Sequence, residues 1–206
     1  MSPGSYVHLD SWTELPVGQE ALVFTSDFWQ EHKARPAQQW RVLMRRLGRD
    51  NPECRALRLA AEMVQDGVPA WASAMTEAFP LWDTLGMGVW PRGELKFLEN
   101  YPECTMDADK LVDWIGAMEN GKLSALDIPG TDLRLKADSV LETALSRATR
   151  LRSLCLCGAS LKSETMVGIR DRLTILGPEI VTRCSGLQTL DLRWNQIGRG
   201  SGGVGA

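Results

Sequence analysis

Three segments in the second half of the chain align without gaps, and they constrain the fold more than any other feature. They run from Leu123 to Leu133, Leu151 to Leu161 and Leu187 to Ile197. Each reads LxxLxLxxNxL, with the asparagine kept only as Asn195 and replaced by Thr131 and Ala159 in the other two. Their starts are 28 and 36 residues apart. The alternation in Leu126/Ile128, Leu154/Leu156 and Leu190/Leu192 puts two apolar side chains on one face of a short strand. One such coil cannot bury its own apolar edge, so the coils must stack.

Between the strands the spacing changes to that of a helix. Ala137, Val140, Leu141, Ala144 and Leu145 recur at helical intervals, as do Met166, Ile169, Leu173 and Leu176. A strand plus a helix in about 28 residues resembles the ribonuclease-inhibitor type of leucine-rich repeat. It is similar to repeats of NOD-like receptors and of some bacterial effector proteins. Leu190-Asp191-Leu192-Arg193-Trp194-Asn195 is the best single match. The resemblance implies an α/β fold: a short right-handed solenoid with parallel strands inside and helices outside. A fourth, degenerate copy is expected at Leu95, Phe97 and Asn100, followed by a helix over 107–120 with Leu111, Trp114, Ile115 and Met118 on one face. The same helix also fits a plain cap over the first coil.

The chain divides by composition. Residues 1–120 hold 11 Lys+Arg against 18 Asp+Glu, and residues 121–206 hold 12 against 8. Seven of the eight tryptophans lie at or before Trp114. The first 92 residues are therefore expected as a small all-helical region before repeats at 93–198. Helices are expected from Ser26 or Asp27 to His32, from Ala37 to a stop at Gly48, from Pro52 to Gln65 and from Ala70 to Phe79. Leu81 to Gly93 reads as an aromatic-packed linker. Residues 1–25 read as loop and short extended pieces around Val7, Leu9 and 22–24. Residues 199–206 form a glycine-rich tail, expected to be disordered, and they interrupt the repeat as a truncated solenoid would.

Motifs of catalysis are absent: there is no HExxH, GxSxG, P-loop or CxxC pair, and GxGxxG occurs only inside the glycine-rich tail, as Gly198-Arg-Gly200-Ser-Gly-Gly203. His8 and His32 are the two imidazoles, which leaves little for a base or a metal site. The expectation is a protein that is not an enzyme and needs no cofactor or metal. Five cysteines at irregular spacing fit reduced thiols, hence a cytoplasmic location or export by a route without a Sec signal peptide. No apolar run reaches the ~20 residues of a membrane helix. Neither half is basic enough to mark a nucleic-acid binder.

In the repeat, Leu154 and Leu156 point to the core, so Cys155 and Cys157 point to the concave face. The same parity places Ala125, Ser153 and Thr189 in one column there, and Asp127, Cys155 and Asp191 in the next. Pro129, Cys157 and Arg193 form a third, with Trp194 at its rim. The expected function is protein–protein binding on this face through Asp127, Cys155, Cys157, Asp191, Arg193 and Trp194, with tryptophan and arginine as natural anchors. Two alternatives stand beside it. One is the substrate-recognition arm of an effector or ubiquitin-ligase-type protein, whose nucleophile would be Cys54 or Cys104. The other is a fragment without independent activity. Arg41, Arg45 and Arg49 also fall on one helical stripe and could meet an acidic partner.

Overall fold

The computed structural model describes residues 6–88, 107–119, 121–129, 149–157, 186–191 and 193. They form an α/β structure. The strands are β1 (Val7–Leu9), β2 (Ala21–Phe24), β3 (Ala56–Ala60), β4 (Thr84–Gly88), β5 (Ala125–Asp127), β6 (Ser153–Cys155) and β7 (Thr189–Asp191). The helices are α1 (Ser26–His32), α2 (Ala37–Asp50), α3 (Ala61–Gln65), α4 (Ser73–Ala78) and α5 (Ala108–Met118). All strand pairs are parallel, and the spatial order is the chain order, β1 to β7.

The register lines up one apolar row across the sheet: Val7, Leu22, Leu57, Leu85, Leu126, Leu154 and Leu190. A second row, Leu9, Phe24, Leu59 and Met87, runs beside it. Apart from Val7 and Leu190 at the two ends, these side chains share one core with Trp40, Leu43, Met44 and Leu47 of α2, Met63 and Val64 of α3, and Leu111, Trp114 and Ile115 of α5. The helices therefore cover the leucine side of the sheet.

A backbone pattern repeats at the entry to five strands. The carbonyl of Glu20 accepts from the N–H groups of Arg55 and Ala56, and that of Arg55 from Asp83 and Thr84. The Asp83 carbonyl accepts from Ser124 and Ala125, that of Ser124 from Arg152 and Ser153, and that of Arg152 from Gln188 and Thr189. The residue before each of these strands thus satisfies backbone N–H groups at the entry to the next, so these groups are not left unpaired.

The expectation of an all-helical region over residues 1–92 is corrected, since four of the seven strands lie there. The supposed helix from Pro52 is strand β3 followed by the short α3. Its Ala-Leu-Arg-Leu-Ala run alternates with period two, and the sheet on both sides decides in favour of a strand. The supposed linker from Leu81 contains β4. Gly48 does not stop α2, which runs on to Asp50; it gives room for the Ala78 carbonyl of α4. Thr25, rather than Ser26 or Asp27, caps α1, its hydroxyl accepting from Phe28 N–H at 3.2 Å. Helix α5 does begin behind Asp107, whose carboxylate accepts from Asp109 N–H. The expected strand near Leu95, the helices over 137–145 and 166–176 and the glycine-rich tail lie outside the described residues. Both sides of β5 are taken, by β4 and β6.

Candidate functional site: the outer face of the sheet

Opposite the leucine row, the same register builds an outward row: His8, Val23, Arg58, Gly86, Asp127, Cys155 and Asp191. Strand alternation requires this, because residues one position from the buried leucines face the other side. Asp127, Cys155 and Asp191 stand side by side as expected, and the column of Ala125, Ser153 and Thr189 is also in register.

The structure adds residues that the sequence reading missed. Arg58 Nη2 lies 3.6 Å from Asp127 Oδ2, with Gly86 of the intervening strand between them in the row. Two strand spacings are ~10 Å, and a long guanidinium arm crosses that distance over a position with no side chain. The guanidinium carbon of Arg58 sits 3.4 Å from the Tyr6 ring centroid, a cation–π stack. Tyr6, His8 and Arg58 thus join the face from the N-terminal section.

Charge on this surface is held unevenly. Burial pushes the Asp127 carboxyl above its ordinary range; the Cys155 side chain and Arg58 pull it down, and Asp191 pushes it up again. Burial lowers Arg58, with Tyr6 and Asp127 opposing. Burial also raises Tyr6. Asp191 behaves differently. The Arg193 guanidinium grips it, with Nε 2.9 and 3.0 Å from the two carboxylate oxygens and Nη2 2.6 Å from Oδ2. The Arg193 backbone N–H adds a bond at 3.0 Å. The Arg193 hydrogen bonds hold Asp191 below the usual range. Burial and then Asp127 push the Cys155 thiol far up, and burial and Asp191 raise Cys157. Both are therefore neutral thiols at neutral pH, small polarisable contact atoms. Trp194 lies outside the described residues.

The remaining candidates sit elsewhere. Cys54 is fully buried, its thiol raised by that burial to about 12 and bonded to the Ala56 carbonyl, so it is closed to an incoming electrophile. Cys104 lies outside the described residues. His32, at the end of α1, is buried against Phe28 and Trp12, its Nδ1 accepting from Arg35 Nε at 3.2 Å. Arg41 and Arg45 line a shallow groove with Ser73 and Glu77 of α4, on the helical side. Among the described residues, no group of three or more His, Cys, Asp or Glu side chains could hold a metal ion, and no helix is long and apolar enough to cross a membrane.

No protein-family model matches the chain. A search of curated proteins also finds no match.

Proposed function

We propose that this chain is a leucine-rich-repeat solenoid that binds another protein on the outward face of its sheet. The observation that supports the reading most is the pair of in-register rows: leucines on the helical side, and Arg58, Asp127, Cys155 and Asp191 on the other. The repeating carbonyl at each coil entry supports the solenoid part of the reading. Binding would work by shape and charge complementarity, without a reaction. Arg58 and Asp127 are preorganised at the centre of the row, where anchors are worth most, and Asp191 with Arg193 lies at one end. No part of this reading needs nucleic acid, membrane or cofactor.

Charge reversal on the face tests it. Asp127→Arg with Asp191→Arg should abolish capture of a partner that wild type retains, while circular dichroism stays unchanged. Reversal of Arg41 and Arg45 to Glu on α2 should leave capture intact. The opposite pattern would move the binding site to the helical side.

A further inference from the structure

Helix α2 is a basic island in an acidic section of the chain. It carries Arg41, Arg45, Arg46 and Arg49 and one acid, Asp50, while residues 1–120 as a whole hold 18 acids against 11 bases. Asp50 serves two of the four arginines, at 3.6 Å from Arg46 and 2.9 Å from Arg49. Arg41 and Arg45 are exposed, and among the described residues neither has an ion-pair partner. Like charges one helical turn apart repel each other, and nothing among the described residues neutralises this pair.

The same two arginines line a groove of about 360 Å³ whose other residues, Ser73, Ala74, Glu77 and Ala78, all belong to α4. That volume is at the small end of ligand clefts, which run from ~300 to ~1,000 Å³, so the groove suits a short segment rather than a folded surface. Its walls are held by close packing, since the backbone of α2 meets the Ala78 carbonyl at Gly48.

Three features select the occupant. The guanidinium forks match oxyanions, carboxylate or phosphate. They stand one turn apart, ~5–6 Å at the Cβ atoms, close to the ~6.5 Å between alternate side chains of an extended chain. Glu77 on the opposite wall is exposed, and among the described residues its carboxylate has no partner. It can only accept hydrogen bonds, so it suits backbone N–H groups and opposes the concentrated charge of a phosphate. The acid excess of the surrounding section repels a long polyanion such as nucleic acid.

We propose that the α2–α4 groove binds an extended acidic peptide segment of another protein. Carboxylates two residues apart pair with Arg41 and Arg45, and a backbone N–H between them donates to Glu77. The site lies on the helical side and is independent of the binding reading for the outward face.

Fluorescence anisotropy of the full chain with a labelled, capped Gly-Glu-Ala-Glu-Gly peptide tests this at low salt, where exposed charges are least screened. The peptide should bind roughly tenfold or more tightly than its Gly-Lys-Ala-Lys-Gly counterpart, and Arg41→Gln with Arg45→Gln should remove most of that difference. Arg46→Gln, at a residue paired with Asp50 and outside the groove, should change the affinity by less than about twofold. Arg41→Glu with Arg45→Glu should exchange the preference, so that the lysine peptide becomes the tighter ligand, a gain that a misfolded chain does not make. A glutamate peptide that wild type holds no better than the lysine peptide, or holds equally well without Arg41 and Arg45, overturns the proposal. So does a charge-reversed variant with no preference for lysine. Inorganic phosphate, or a single-stranded oligonucleotide, that displaces the label at a lower concentration than unlabelled glutamate peptide overturns it in favour of a phosphate or nucleic-acid site.

Discussion

Arg58 and Asp127 meet at 3.6 Å although two strand positions separate them, the arginine arm crossing at Gly86. Their side chains are 16% and 27% exposed, so the pair is only partly desolvated. That gives the outward face a fixed charged centre. The net effect of the site on Asp127 is still unfavourable to its charge, because burial outweighs Arg58.

Asp127→Asn should therefore show a pH-dependent difference from wild type. The folded carboxyl titrates above the ordinary value of 3.8. Wild type binds this proton more tightly when folded, so the contribution of Asp127 to stability is full below that value and is lost as pH rises through the folded pKa. The asparagine variant escapes that loss. Its Tm minus that of wild type should rise between pH 3.5 and pH 7, a range set by the unfolded carboxylate value of about 3.9. A difference that falls over this range would contradict the assigned direction.

The leucine row makes a graded prediction. Leu57→Ala and Leu154→Ala should each cost about 2–5 kcal/mol by urea denaturation, since each removes a buried side chain from the shared core. Leu190→Ala, at the half-exposed position of the row, should cost under about 2 kcal/mol. Equal costs along the row would contradict the difference in burial between Leu190 and the inner leucines.

That row is only partly legible in the sequence. The three C-terminal copies carry leucine at the first and fourth places and leucine or isoleucine at the sixth, which makes them legible as a repeat. Strands β3 and β4 show the same spacing of buried residues with other side chains: Cys54, Leu57 and Leu59 at one, Trp82, Leu85 and Met87 at the next. Cys54 and Trp82 are as fully buried as Leu123 and play the same inward part. A search for leucine alone could not see them. The Leu-x-Leu alternation around Arg58 is the strand signal there, but the apolar spacing from Pro52 to Gln65 also fits a helix. Asp127, Cys155 and Asp191 were legible because parity along a strand dictates facing. Tyr6 and Arg58 were not, because only the register brings β3 into that row.

Gly48→Ala should destabilise the chain although alanine favours helix. A Cβ at this position would lie 2.0 Å from the Ala78 carbonyl oxygen, so α2 and α4 must move apart. Overpacking of this kind costs roughly 1–3 kcal/mol, against a gain of up to ~1 kcal/mol in helix propensity. A lower urea midpoint with an unchanged slope is the expected result.

Asn51 is fully buried and joins three segments. Its side-chain oxygen accepts from Gln19 N–H at 2.8 Å, and its amide donates to the carbonyls of Pro16 and Leu47, both at 2.9 Å. Asn51→Ala leaves the Gln19 N–H and the Pro16 carbonyl without this partner, while the Leu47 carbonyl keeps the backbone N–H of residue 51, and should cost about 1–3 kcal/mol. Faster amide exchange at Gln19 in the variant would locate the loss. Unchanged exchange there would argue against the bridge.

The most direct test of the binding face is a map of where the partner touches. A photo-crosslinking side chain at Ser153 lies on the outward face beside Asp127 and Cys155, and one at Val42 lies on the exposed side of α2. A partner that crosslinks at Ser153 and not at Val42, and is released by Asp127→Arg, is the predicted result. A partner that crosslinks at Val42 alone, with Asp127→Arg making no difference, would contradict the assignment of the outward face as the binding surface.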